Sequence, residues 1–149
     1  VFRDTVRSIA EELAMMIVKD GEGATKFVKI NIRDAASPED ARLAARAVAN
    51  SLLVKTAWYG ADPNWGRIMA ALGYSGAALN ENEIKISFDN LKVVRNGMTA
   101  DTDPKELVAV ISKKEFEITI SLGAGKSVHS MYSCDISHGY VDINASYMT

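Results

Sequence analysis

The acid held between two glycines, Gly21-Glu22-Gly23, is the first place in this sequence where residue types and spacing could do chemistry. Glycine on both sides lets the backbone turn tightly and pass close to another group. A carboxylate fixed there could receive a ligand's positive group through a charge-assisted hydrogen bond. A helix-to-strand turn needs only one glycine as its cap, so on residue type alone Glu22 reads first as a solvated acid in a C-cap turn. Both readings stay open at this level. Cys134 and His138, four apart, could form a nucleophile pair, although a lone cysteine is more often a small core residue. With two histidines and one cysteine the sequence lacks the three or four spaced ligands a metal centre uses.

Two further stretches invite chemistry and are better read as structure. Gly123-Ala124-Gly125-Lys126-Ser127 resembles a phosphate loop, but Ile120 stands where the first glycine is required, and an alternating strand, not a helix, follows. It reads as a glycine-rich hairpin turn. In Asp62-Pro63-Asn64-Trp65-Gly66-Arg67, Trp65 reads as a plug at a core edge and Asn64 as a side chain that satisfies loop backbone. Asn144 and Thr149 sit in a polar terminus of the kind that frays. Against fraying, Val141 and Ile143 alternate with Asp142 and Asn144, which predicts an extended tail anchored along one face.

The elements that position these residues follow from periodicity. Phe2, Val6, Ile9, Leu13, Met16 and Ile17 share one face of a helix that Gly21 stops, predicting that this face is buried. Lys26 to Arg33 alternates as a half-buried strand, with Val28, Ile30 and Ile32 on the apolar side. Ser37-Pro38-Glu39-Asp40 supplies a capping hydroxyl, a proline at the first helical position and acids facing the helix dipole. The alanine-rich helix that it opens runs to about Asn50, suited to lying close on a sheet. Val54 to Tyr59 reads as a strand, Arg67 to Leu72 as a short helix ended by Gly73. Strands are predicted at Ile84 to Phe88, Leu91 to Val94, Glu115 to Leu122 and Ser127 to Cys134, the last two as a hairpin, with a helix from Asp103-Pro104 to Ile111. This order predicts an α+β fold, a sheet with helices on one face.

Composition narrows the function classes. At 149 residues, 48% hydrophobic and 24% charged, the chain can bury a real core and is not disordered. A net charge of −2 gives no electrostatic case for nucleic acid or an acidic membrane surface. Cys134 is the single cysteine, which excludes an internal disulfide and fits a reducing compartment. No apolar run reaches the roughly 18 residues of a membrane span. The chain starts at Val1 without an initiator methionine, and residue 1 reads as something other than the natural start.

Several blocks together carry a resemblance. Residues Glu12 to Phe27, which include Lys19-Asp20-Gly21-Glu22-Gly23-Ala24-Thr25, are similar to a signature of the ornithine acetyltransferases, the glutamate N-acetyltransferases of arginine biosynthesis. So are Val54-Lys55-Thr56-Ala57, Asp62-Pro63-Asn64-Trp65-Gly66-Arg67-Ile68, and the ending from Cys134-Asp135-Ile136 through Tyr140-Val141 to Ile143-Asn144-Ala145-Ser146-Tyr147-Met148-Thr149. Ser146 and Met148 stand where the family commonly has an acid and a basic residue. Members are made as a precursor that cuts itself before a threonine, which becomes the amino-terminal nucleophile of the second chain. The resemblance implies that residues 1–149 belong to that second chain, with the nucleophile and oxyanion hole upstream and no catalytic residue here; neither Thr5 nor Thr25 takes that place. It implies substrate-binding roles for Glu22, Asn144 and Thr149. It also implies a division into residues 1–25 as part of an amino-terminal-nucleophile αββα layer, 26–140 as a carboxyl-terminal α+β domain and 141–149 as a tail returning to the active site. The expected partners are the first chain of the same precursor, in an α2β2 heterotetramer, with N-acetylornithine and glutamate as substrates in the cytoplasm. No cofactor or metal is expected, and acetyl-CoA stays open as a second acetyl donor. The alternatives are an amidase or peptidase on the same self-cleaving scaffold, and a non-catalytic interaction module.

Overall fold

The sheet is assembled around β1 (Phe27–Ala35). In the computed structural model, which describes residues 1–146, Val28, Ile30 and Ile32 of this strand are buried on one face, and Lys29, Asn31 and Arg33 line the other. β1 runs parallel to β5 (Glu115–Ser121), with Ile30 opposite Ile118, and antiparallel to β6 (Ser127–Cys134), with Ile30 opposite Met131. β2 (Lys85–Phe88) pairs antiparallel with β5, and β3 (Leu91–Arg95) and the two-residue β4 (Met98–Thr99) extend that side. The strand order is β4-β3-β2-β5-β1-β6.

Four helices share the core on the apolar face: α2 (Pro38–Asn50), α3 (Leu52–Tyr59), α4 (Trp65–Gly73) and α5 (Pro104–Ile111). This is the α+β arrangement the sequence predicts. The Ser37 hydroxyl caps α2 by accepting from the Asp40 N–H at 3.0 Å. Ala41, Ala44, Ala45, Val48 and Ala49 are buried, and their small side chains let the helix backbone approach the sheet. The approach is close enough for the Ser133 hydroxyl of β6 to donate to the Ala49 carbonyl at 2.9 Å. Trp65 packs against this core and Asn64 caps α4 by accepting from the Arg67 N–H at 3.3 Å, the structural roles their residue types predict.

Three expectations are corrected. Residues 54–59, expected as a strand, belong to α3: Ser51 caps it, and Val54, Ala57 and Trp58 are buried at the three- and four-residue spacing of a helix. β5 and β6, expected as a hairpin, do not pair, because β1 lies between them. The glycine turn arches over the end of β1, where Ala124 and Gly125 both donate to the Asp34 carbonyl, at 2.8 and 2.9 Å. The tail, expected to be extended, forms α6 (His138–Ala145), capped by Ser137, with Val141 and Ile143 exposed.

The first helix, α1 (Phe2–Lys19), carries the fourth correction. Its apolar face is not buried: Phe2 is 84% and Ile17 74% exposed, and Val6, Ile9, Leu13 and Met16 are exposed with them. α1 touches the polar side of the sheet near β6, where Tyr132 donates to Glu11 and stacks on Phe27. The Glu11 contact, helped by burial, pushes the Tyr132 phenol up to about 12. Lys19 adds an ion pair to Glu115 at 2.7 Å and sits 4.9 Å over the Phe27 ring. These contacts fix the direction of α1 and leave its apolar stripe bare. No helix among the described residues is long and apolar enough to cross a membrane.

Candidate functional site

Glu22 is held in a turn whose every neighbour is tied down. α1 ends as the Asp20 N–H donates to the Met16 carbonyl at 3.0 Å and the Gly21 N–H to Val18 at 3.3 Å. The Ala24 N–H then closes the turn onto the Gly21 carbonyl at 3.0 Å. Gly23 has φ +64, the left-handed region that favours glycine. A Cβ at that position would lie 2.5 Å from the Tyr140 nitrogen and 2.9 Å from the Gly139 carbonyl carbon, so the turn rests backbone to backbone on the start of α6.

That packing aligns the two ends of the chain. The Asn144 side-chain amide donates to Glu22 Oε2 at 3.1 Å and also to the Tyr140 carbonyl, one helical turn earlier, at 2.9 Å. Two of the three predicted binding residues, 122 positions apart, are therefore in direct contact; the third, Thr149, lies outside the described residues. Both side chains are exposed, and no cation pairs with Glu22 among the described residues. A carboxylate bound only by a neutral amide keeps acceptor capacity for an incoming ammonium. The Asn144 amide, fixed from behind by Tyr140, orients one of its oxygens.

Residue types alone gave no reason to select the support beneath this pair. Asp135, between β6 and α6, is buried and accepts from the Thr25 N–H at 2.8 Å, the Thr25 hydroxyl at 2.5 Å and the Lys26 N–H at 2.9 Å. The Ser137 hydroxyl donates to the Gly23 carbonyl at 2.5 Å. Lys26 continues the support by donating to the Trp58 and Ile111 carbonyls at 2.5 and 2.8 Å, at the ends of α3 and α5. Burial pushes its ammonium below the ordinary lysine value, and the nearby Asp135 carboxylate acts in the opposite sense. The sequence signal for these residues was present but weak: an acid and a serine two apart, just after an alternating strand.

The nucleophile pair considered for Cys134 and His138 is not assembled. The Cys134 sulfur lies 3.7 Å from the Lys55 ammonium, and His138 Nδ1 lies 3.4 Å from the Tyr59 hydroxyl with the two rings edge to face. Among the described residues no group of three or more metal-ligating side chains converges.

Comparison with known proteins places the chain in a family. Residues 1–149 match the ArgJ family. The chain is similar to the arginine biosynthesis bifunctional protein ArgJ of Chlorobaculum tepidum, 48% identical over 147 residues, covering 99% of this chain and 36% of that protein. It is similar to the glutamate N-acetyltransferase of Methanocaldococcus jannaschii, 44% identical over 156 residues, covering 99% of this chain and 39% of that one. The crystal structure of the arginine biosynthesis bifunctional protein ArgJ from Bacillus halodurans superposes with a TM-score of 0.94 at 35% identity, over 98% of this chain and 69% of that one. The chain thus spans little more than a third of the length of these curated relatives. With its whole length matched and its fold shared, the chain belongs to the ArgJ family.

Proposed function

We propose that this chain is the carboxyl-terminal portion of an acetyltransferase of arginine biosynthesis that moves acetyl from N-acetylornithine to glutamate. The observation that carries the reading is the Glu22–Asn144 pair, an exposed carboxylate with no cation paired to it among the described residues, set by rigid backbone beside an oriented amide. Both half-reactions present an amino-acid ligand with a positively charged amine. In the proposed sequence a threonine hydroxyl outside these residues attacks the acetyl carbonyl carbon, the carbon–nitrogen bond to ornithine breaks, and the leaving amine takes the proton. The amine of glutamate then attacks the acetyl-threonine ester, and the threonine hydroxyl is restored. Glu22 and Asn144 bind and orient in this scheme and do no covalent chemistry. The scheme needs no cofactor, and acetyl-CoA is a second donor to assay beside N-acetylornithine.

The bare stripe of α1 fits the same reading. An amphipathic helix with an uncovered apolar face is stable only when that face packs on something. We assign residues 1–25 to the catalytic layer, completed by the rest of the family's length and by the first chain of the precursor, two of each forming a cytoplasmic heterotetramer. The complete enzyme is expected to form N-acetylglutamate from N-acetylornithine and glutamate. The 149-residue chain alone is expected to form none, since it supplies neither nucleophile nor oxyanion hole. Turnover by the isolated chain, or release of free acetate in place of transfer by the complete enzyme, would overturn the assignment.

We propose that Thr149 extends the site through its hydroxyl. Deleting it from the complete enzyme is expected to raise KM for the amino-acid substrates and leave Tm unchanged. An unaltered KM removes Thr149 from the site without touching Glu22 or Asn144.

A further inference from the structure

We infer that Asp135 is a positioning residue that, with Ser137, sets the Glu22 carboxylate at its distance from Asn144; the inference rests on the substrate-binding reading of that pair. Asp135 is 3% exposed, and a carboxylate taken out of water is costly unless its oxygens are bonded. Three donors meet that need, and all three belong to Thr25 and Lys26. The beginning of β1 does not depend on them alone, because the Phe27 N–H already donates to the Lys114 carbonyl at 2.8 Å. What the Asp135 bonds fix in addition is the point where the acidic turn rejoins the strand.

Ser137 grips the same turn two residues earlier, at the Gly23 carbonyl. Alternate residues of one connection, 135 and 137, therefore hold alternate residues of the turn, 25 and 23, with Glu22 immediately outside the clamp. The clamping connection also opens α6, since Ser137 accepts from the Tyr140 N–H at 3.3 Å and caps the helix that carries Asn144. One short segment thus places both members of the pair. A carboxylate that binds an ammonium must be held to within a fraction of an ångström to keep its directional contact, and beside the direct Asn144–Glu22 bond the Asp135 and Ser137 bonds tie the acidic turn to the segment that opens α6.

The test uses the complete two-chain enzyme and the KM values of N-acetylornithine and glutamate. Asp135→Asn keeps the shape but turns an amide NH2 toward donors, and is expected to raise both KM values about tenfold with kcat changed less than about twofold. Thr25→Val removes one of the three bonds at nearly constant volume; it is expected to raise KM about threefold and serves if Asp135→Asn fails to fold. Each variant is then combined with Glu22→Gln. A residue acting through Glu22 adds nothing once that charge is gone, whereas a residue that merely supports the fold raises KM by the same factor in both backgrounds. Equal factors in both backgrounds, or no rise in KM for either variant, overturn the inference. If Glu22→Gln by itself leaves kcat/KM unchanged, the substrate-binding reading of Glu22 has failed; if it lowers kcat/KM and the Asp135 and Thr25 variants do not raise KM, only the positioning role has failed.

Discussion

Replacing Glu22 by glutamine in the complete enzyme is expected to lower kcat/KM for acetyl transfer by about 1.5–3 kcal/mol, the range for a lost charge-assisted hydrogen bond. Folding and self-cleavage are expected to survive, because Glu22 is exposed and its one side-chain partner among the described residues is the neutral Asn144 amide. Glutamine can keep that partner through its own carbonyl oxygen. The variant therefore separates two roles that the wild-type side chain combines. A solvated cap acid on this surface would contribute at most about 1 kcal/mol to anything, and its neutralisation would pass unnoticed in a kinetic assay. A carboxylate facing an ammonium in a site closed by the remaining chain loses a directional contact whose loss cannot be compensated by solvent alone. The decisive comparison is kcat/KM against Tm. Full activity with an unchanged Tm would return Glu22 to its plain reading as a turn residue, and a fall in Tm that accounts for the lost activity would make it structural.

The same contrast explains what could be read from the sequence. Segments whose partners are local were legible: the Ser37-Pro38 start of α2, the alternation of β1 and β5, and the Asp103-Pro104 start of α5 all stand where their capping chemistry and periodicity place them. α3 was misread because eight residues with Val54, Thr56, Trp58 and Tyr59 look strand-like by propensity, whereas the Ser51 cap and the spacing of Val54, Ala57 and Trp58 decide the outcome. The hairpin expected of β5 and β6 failed for a topological reason, since β1 enters between them from more than eighty residues away in the sequence. The apolar stripe of α1 was seen correctly as a stripe, but periodicity does not say whether the covering surface lies within these residues. The contact between Glu22 and Asn144 had no local signal at all. Resemblance named both residues, and the packing of Gly23 on α6 shows why residues so distant in sequence meet.

That packing makes Gly23→Ala the sharpest structural test of the site. Two penalties combine at Gly23. Alanine at φ +64 is strained by about 1 kcal/mol. Its Cβ would also meet the Tyr140 nitrogen at 2.5 Å and the Gly139 carbonyl carbon at 2.9 Å, and backbone atoms cannot swing aside as a flexible side chain can. Gly76 separates the two terms: its φ is +76, yet a Cβ there meets nothing within 4 Å. Gly76→Ala in the complete enzyme is expected to lower stability by about 1 kcal/mol and to leave both KM values unchanged. Gly23→Ala is expected to lower it by about 2–4 kcal/mol in total, the range for strain combined with a forced backbone shift. The shift has a direction. To admit the methyl group, the start of α6 must move off the turn, and Asn144, anchored to Tyr140 one helical turn later, moves with it away from Glu22. KM for N-acetylornithine and glutamate is therefore expected to rise in Gly23→Ala and not in Gly76→Ala, measured under conditions where both enzymes are fully folded. Equal losses of stability in the two variants, with KM unchanged in both, would show that the turn and α6 do not bear on one another and that the Glu22–Asn144 contact is not built by this packing.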